Sequence, residues 1–210
     1  VTAHPAAPDI IFAGSYSGYL SRKDMRTGLS RNINAWPMNP MGHSSEDIKY
    51  KFQWTFPIVI SMHDPKVLYA GGSVLVRSTN EGQSFDMISP PLARNDPKTL
   101  GASGGPITKD QTGVETYGTI FTLAESFQSK DVLWAGTDAG WVQLTRDGGK
   151  TWTGIDLPAL LALRAQVQPA VGQGLGERAL GLQEEMLDAL RLPVAADHVC
   201  TGGQRRVGVT

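Results

Sequence analysis

One short pattern recurs in this chain and constrains its fold more than any other feature. An apolar, strand-like run that ends in glycine at residues 132–136 precedes the octet TRDGGKTW at residues 145–152. The same two features occur at residues 67–71 and 78–85, where the octet reads STNEGQSF. A unit that recurs at this spacing is typical of architectures built from small repeated sheets.

A degraded third copy lies at residues 10–14 and is followed by Asp24. The glycines that end the three runs, Gly14, Gly71 and Gly136, are 57 and then 65 residues apart. Each unit offers about four β-branched or aromatic segments bounded by Gly, Pro, Asn or Asp, which is the pattern of antiparallel strands. We therefore predict an all-β chain, a partial β-propeller of four-stranded antiparallel blades.

The second and third units show the predicted strands best. They are residues 58–61, 67–70, 74–77 and 84–88 in the second unit, and residues 119–123, 132–135, 141–144 and 151–155 in the third. The first unit starts part-way, because residues 1–3 offer only the end of a first strand, so we expect fewer than three complete blades. Because a propeller has about four to eight blades, the expected partners include the missing blades of a longer parent chain.

The composition changes abruptly after Trp152, since residues 153–210 contain no Phe, Tyr, Trp or Lys. We therefore divide the chain into blades over residues 1–157 and an atypical tail over residues 158–210. Three interpretations of the tail remain open: a helical appendage, a disordered tail, or translation outside the native frame. The sudden break favours the last of these.

Charge and cysteine content exclude several classes of function. The formal net charge of -1 argues against a nucleic-acid-binding protein. No apolar run approaches the roughly 20 residues that a membrane span requires. The single cysteine, Cys200, rules out an internal disulfide. Because the chain begins at Val1 without an initiator Met, we expect an internal fragment of a larger protein.

The two octets resemble the Asp-box, Ser/Thr-x-Asp-x-Gly-x-Thr-Trp/Phe, with Asn in place of Asp in one copy. A short Asp or Asn side chain can accept backbone N–H groups in a turn, and Gly can adopt positive φ. In proteins that carry the box, it forms the turn between the last two strands of a propeller blade. This resemblance implies structural roles for Ser78, Asn80, Gly82 and Phe85 in one copy and for Thr145, Asp147, Gly149 and Trp152 in the other.

The wider sequence resembles bacterial propeller proteins described as glycosyl-hydrolase-like, bacterial neuraminidase repeat or sortilin N-terminal domain proteins. The segments that carry this resemblance are residues 18–22, 31–37, 50–57 and 104–110. The resemblance covers roughly residues 1–157 and implies a secreted or periplasmic protein. A more distant similarity is to the xyloglucanases, in which two propellers hold the substrate in the cleft between them.

Two long connections, residues 36–56 and 90–116, are where we expect a binding face, because long irregular loops usually serve a function. Tyr50, Phe52, Trp54 and Phe56 alternate with polar residues, which would place the aromatic rings on one face of an extended segment. This pattern indicates packing between blades or, alternatively, a platform for sugar rings or a peptide.

Acidic residues in or beside these connections are candidates for catalysis, since glycosidases need two carboxylates about 5–9.5 Å apart. They are Glu46, Asp47, Asp110, Glu115 and Glu125, and solvated surface acids are the more common interpretation of such residues. The four histidines are scattered without metal-ligand spacing, so we predict neither a metal site nor a cofactor.

We expect a scaffold that binds a protein or a polysaccharide through its long connections, with a fragment of a glycoside hydrolase as the alternative. Catalytic residues are not assigned. The candidate binding residues are Trp36, Asp47, Tyr50, Trp54 and Glu115.

Overall fold

The computed structural model describes residues 1–102, 104 and 116–155, which form twelve β-strands and three short 3₁₀ helices. The strands build three four-stranded antiparallel sheets, each formed by four consecutive strands. The first sheet contains β1 (Thr2–His4), β2 (Ala7–Gly14), β3 (Leu20–Asp24) and β4 (Ser30–Asn32). The second contains β5 (Ile58–Ile60), β6 (Leu68–Gly71), β7 (Leu75–Ser78) and β8 (Asp86–Met87), and the third contains β9 (Ile120–Glu125), β10 (Leu133–Thr137), β11 (Val142–Thr145) and β12 (Thr153–Ile155). The prediction of an all-β chain is confirmed.

All eight strands predicted for the second and third units overlap observed strands. The number of units differs from the predicted "fewer than three", since the first sheet also has four strands. Although β1 is only three residues long, it pairs with β2, with Thr2 opposite Phe12 and Ala3 opposite Ile11. The tail, residues 158–210, and the three interpretations of it lie outside the described residues.

Because consecutive strands in each sheet are antiparallel, the links between them alternate between two ends of the sheet. One end, which we call the connection end, gathers the hairpins at residues 15–19, 72–74 and 138–141 and the long connections at residues 33–57 and 88–119. The opposite end, which we call the box end, carries the turns between the third and fourth strands. The two octets therefore lie at the end opposite the long connections.

The recurring glycines lie where one sheet meets the next. A Cβ added to Gly14 would lie 2.5 Å from Cδ1 of Ile58, the first residue of β5. A Cβ on Gly71 would likewise lie 3.0 Å from Cγ2 of Ile120, the first residue of β9. A larger residue at either position would therefore require side chains of the following sheet to shift.

Two apolar clusters fill the spaces between neighbouring sheets. Phe12 and Leu20 of the first sheet pack with Leu68 and Ala70 of β6. Tyr69, which lies between them on β6, packs on the opposite side with residues of the third sheet. Since alternate strand residues face opposite sides, β6 is buried on both faces and the second sheet forms the centre of the described fold.

Candidate functional site

The octet of the second sheet folds into a turn held by side-chain hydrogen bonds. Ser78 Oγ accepts the backbone N–H of Gly82 at 2.8 Å and donates to Asn80 Oδ1 at 2.9 Å. Asn80 Oδ1 also accepts the backbone N–H of Ser84 at 3.0 Å. Gly82 has a φ of 80°, a conformation that glycine adopts readily. Ser78, Asn80 and Gly82 thus each have a local structural task in this turn.

The octet of the third sheet forms the same turn with different residues. Thr145 Oγ1 accepts the N–H of Gly149 at 2.9 Å and donates to Asp147 Oδ1 at 2.8 Å. Asp147 accepts the N–H of Thr151 at 2.8 Å and its hydroxyl at 2.7 Å. Burial alone would raise the pKa of Asp147, but the hydrogen bonds from Thr151 and Thr145 outweigh it and hold the pKa below its usual value.

Both turns also fasten their sheet to the preceding one. Trp152 is buried, and its indole N–H donates to the carbonyl oxygen of Ile88 at 3.2 Å. A Cβ on Gly149 would lie 2.5 Å from that same oxygen. In the second sheet, Phe85 packs against the first apolar cluster. These contacts are those of structural turns, and the described residues contain no group of three or more His, Cys, Asp or Glu side chains that could hold a metal.

The degraded third copy forms a different turn. Lys23 lies opposite Ile11 in the first sheet, where Ser78 lies opposite the corresponding residue of the second sheet. The hydroxyl that organises the other two turns is therefore absent. Asp24 instead accepts the backbone N–H of Arg26 at 2.9 Å through Oδ1, and that of Gly28 at 2.8 Å through its carbonyl oxygen.

The aromatic residues of the first connection do not share one face. Phe52 and Phe56 are buried and pack edge to face with ring centroids 5.3 Å apart. Trp54 is 55% exposed. The extended segment predicted for residues 50–56 is not formed, because the chain turns there and the N–H of Phe56 donates to the carbonyl of Gln53. This turn directs Trp54 to solvent while Phe52 and Phe56 enter the core.

Trp54 has exposed aromatic neighbours at the connection end. Its ring lies 6.1 Å from that of Tyr16, which in turn lies 5.7 Å from that of Tyr19. Both tyrosines are partly exposed and belong to the hairpin between β2 and β3. Sequence reasoning missed the tyrosines, because they lie about 35 residues from Trp54 and only the tertiary fold brings them together.

Trp36 and Tyr50 form a separate pair, edge to face with centroids 5.0 Å apart. Lys49 Nζ lies 4.5 Å from the centroid of the Trp36 ring and 5.3 Å from that of Tyr50. A cation at this distance from aromatic rings is attracted by their π electrons. Because the Lys49 ammonium lies over the ring of Trp36, the Trp36–Tyr50 pair is less accessible to a ligand than Trp54 is.

Of the predicted acidic residues, Glu46 and Asp47 lie together, since both accept the hydroxyl of Ser44, at 3.2 and 2.8 Å, but Glu125 does not join them. Asp47 lies in a 3₁₀ helix, Ser45–Asp47, at the connection end and accepts the hydroxyl of Ser44 at 2.8 Å. Glu125 lies at the box end, where it accepts the hydroxyl of Ser61 and the N–H of Met62, both at 2.8 Å. Glu125 thus joins the second and third sheets and is distant from Asp47. Asp110 and Glu115 lie outside the described residues.

A cleft opens between the two long connections. Its volume is about 130 Å³, and both connections and the hairpin at residues 72–74 contribute to its walls. The backbone N–H of Glu46 donates to the carbonyl of Leu100 at 3.1 Å, which ties the two connections together beside the cleft. The polar residues of the lining are Ser45, Glu46, Lys49, Lys51, Ser73 and Asn95.

Lys51 is the most unusual of these residues, because it is only 6% exposed. Its backbone N–H donates to Ser73 Oγ at 3.2 Å, and its carbonyl accepts the N–H of Ser73 at 2.7 Å. Its ammonium donates to Asn95 Oδ1 at 2.7 Å. Burial lowers the pKa of Lys51, and the carboxylate of Asp138 opposes that shift.

Asp138 lies next to the cleft and has unequal carboxylate oxygens. Oδ2 accepts the N–H of Gly118, the N–H of Thr119 and the hydroxyl of Thr119, each at 3.0 Å. Oδ1 is buried, and no described residue forms a hydrogen bond with it. Sequence reasoning missed both Lys51 and Asp138, because nothing in their local sequence distinguishes a buried charge from a solvated one.

The fold and its connection end define an all-β protein of three similar sheets, with exposed aromatic side chains and a polar cleft. No protein-family model matches the chain, and no curated protein sequence is significantly similar to it. Within the described part of the chain, no helix has the length and apolar character needed to cross a membrane.

Proposed function

We propose that the three sheets are consecutive blades of a β-propeller, and that the protein binds a glycan through the connection end. The blade arrangement is supported by a contact that repeats from sheet to sheet. The turn glycine Gly82 packs against Ile33 after β4, and the turn glycine Gly149 packs against Ile88 after β8. A relation that repeats between successive sheets is what a radial array requires.

The first strands support the same arrangement, since β1 lies beside β5 and β5 lies beside β9. In a propeller, the first strands of the blades surround the axis, so they should be neighbours. Gly136 occupies the position of Gly14 and Gly71, yet among the described residues only Thr122 of its own sheet comes within 4 Å of an added Cβ. A further blade would pack against this position.

One observation carries the proposal of glycan binding: Trp54 exposes 55% of its surface beside Tyr16, which exposes 39%. Exposed large aromatic residues that cluster on one face mark interaction sites. The C–H faces of a sugar ring can pack on such rings while its hydroxyl groups reach polar neighbours. The exposed rings and the polar cleft at the same end supply both kinds of contact.

The alternative of a glycoside hydrolase has no comparable support among the described residues. Glu125 is committed to the contact between two sheets. Asp47 lies at the other end of the fold, and although Glu46 accepts the same Ser44 hydroxyl, both carboxylates are exposed neighbours on one short 3₁₀ helix. A binding function therefore accounts for the described geometry better than hydrolysis does.

Retention of the protein in native gels that contain soluble xyloglucan or mixed-linkage β-glucan tests the proposal. We expect Trp54→Ala to weaken retention at least tenfold, because it removes the exposed ring. Phe127→Ala is the matched control, since Phe127 is similarly exposed but lies in the link between β9 and β10, at the box end. Equal retention of both variants would contradict the proposal. If the protein binds a protein ligand and no glycan, the connection end is a protein-binding surface instead.

A further inference from the structure

We propose that the cleft between the two long connections is a subsite for an uncharged, hydroxyl-rich ring, that is, a neutral sugar residue of the bound glycan. The inference rests on the proposed function and narrows its ligand class. It depends on the balance of charge at the cleft, on the hydrogen-bonding groups in its walls and on its size.

The charges that the described residues place at the cleft are balanced. The negative charge of the Asp138 carboxylate stabilises the buried Lys51 ammonium and so opposes the loss of the lysine's proton. Glu46 and Lys49 add one charge of each sign to the lining. A site for an anion would carry excess positive charge, and a site for a cation would carry excess negative charge. The four charges instead sum to zero, which favours a neutral ligand.

The walls offer donors and acceptors together. The Lys51 ammonium has three N–H donors, and among the described residues Asn95 is its one hydrogen-bond acceptor. Ser73 and Asn95 each carry groups that can both donate and accept, and Glu46 adds an acceptor. A hydroxyl group is itself both donor and acceptor, so a ring that bears several hydroxyls can satisfy this mixture.

The size of the cleft restricts how much of a glycan it can hold. Its volume of about 130 Å³ is well below the roughly 300–1,000 Å³ of pockets that enclose drug-sized ligands. One ring is therefore the expected occupant, while the rest of the chain extends toward the exposed rings at the connection end. Lys51 would position the ring, because its backbone is fixed to Ser73 on both sides.

Titration calorimetry of the full chain with two oligosaccharides tests this subsite: a neutral cello-oligosaccharide and an acidic oligogalacturonate. We expect the wild-type protein to bind the neutral ligand at least tenfold more tightly. Lys51→Met should weaken that binding about tenfold, whereas Lys66→Met, a change of an exposed lysine at the box end, should leave it unchanged.

Asp138→Asn is the second variant, because it keeps a carbonyl oxygen for the N–H groups of Gly118 and Thr119 while removing the negative charge. We expect it to shift the affinity ratio at least tenfold toward the acidic ligand, since the cleft becomes net positive. Tighter binding of the acidic ligand by the wild-type protein would overturn the neutral subsite.

The failure of this inference is distinguishable from that of the proposed function. If Trp54→Ala abolishes binding while the Lys51 and Asp138 variants keep the wild-type affinities and ratio, the glycan binds elsewhere on the connection end and the subsite is refuted. If the wild-type protein binds neither oligosaccharide nor polysaccharide, both the proposed function and the subsite are refuted. Thermal melting of each variant checks that it remains folded.

Discussion

The hydroxyl of Thr145 should be worth more to the stability of the third sheet than its methyl group. The side chain is only 1% exposed, and its Oγ1 accepts the N–H of Gly149 while donating to Asp147. Thr145→Val keeps the shape of the side chain but removes these two hydrogen bonds and a longer one, at 3.4 Å, from the backbone N–H of Asp147. Thr145→Ser keeps the hydroxyl, as Ser78 does in the second sheet, and removes only the methyl group.

The magnitudes follow from what each change leaves behind. Thr145→Val leaves the buried N–H of Gly149 without a partner, which costs about 1–3 kcal/mol. The lost hydrogen bond to the Asp147 carboxylate adds about 1.5–3 kcal/mol, so the expected total is about 2.5–6 kcal/mol. Thr145→Ser loses one buried methyl group, at about 1 kcal/mol. The valine variant should therefore be the less stable of the two.

Urea unfolding followed by circular dichroism measures both free energies of unfolding on the full chain. Thr153→Val and Thr153→Ser provide the matched control pair, because Thr153 lies exposed on β12 of the same sheet. We expect the control pair to stay within about 0.5 kcal/mol of the wild-type protein. If Thr145→Val is as stable as Thr145→Ser, the hydroxyl does not hold the turn and the reasoning is refuted.

Two further predictions concern pH. Asp147→Asn should leave stability at pH 7 nearly unchanged, because Asn80 already holds the equivalent turn and its Nδ2 donates to the Ser84 hydroxyl at 2.9 Å. Since the folded-state pKa of Asp147 is lowered, its contribution to the free energy of unfolding is present above about pH 4 and is lost as the pH falls through the folded-state pKa. Urea titrations from pH 5 to 2 should therefore show a smaller loss of stability for Asp147→Asn than for the wild-type protein. Parallel losses of stability in the two proteins would contradict this prediction. Burial, with the nearby Glu125 charge, raises the pKa of Tyr69 to about 12. The contribution of the Tyr69 hydroxyl to the free energy of unfolding is therefore complete below pH 10 and declines above it. Between pH 8 and pH 11 the wild-type protein should therefore lose about 1.4 kcal/mol more stability than Tyr69→Phe, and an equal loss in both proteins would exclude Tyr69 as the cause.

Much of the fold was predictable because its signals are local. The octet at residues 145–152 needs only a hydroxyl, a short acidic or amide side chain and a glycine within five positions, and the turn forms from these groups alone. The same local reasoning failed for the first unit, where Lys23 replaces the hydroxyl and Asp24 lies one position before that of Asn80. In the same register, Met25 and Thr27 stand where the second octet has Asn80 and Gly82, so neither the amide nor the glycine of that turn is present.

The candidate site was less predictable, because burial is decided by distant residues. Phe52 and Trp54 have similar local sequences, yet one enters the apolar cluster and the other faces solvent beside Tyr16. The sequence around Lys51 predicts a polar surface residue, but the second connection covers it through Asn95, 44 positions away. Glu125 appeared to be a candidate acid, and the second sheet engages both of its oxygens.

The sequence by itself determined the strands, the repeated glycines and the turns of the two octets. These features depend, respectively, on the alternation of side chains, on backbone freedom and on hydrogen bonds over a few residues. Only the tertiary structure decided what the glycines are for, namely the close approach of the next sheet to Gly14 and Gly71. It also decided which aromatic rings remain exposed and which charges are buried around the cleft. These outcomes depend on contacts between residues some 35 to 65 positions apart, and no local pattern encodes such contacts.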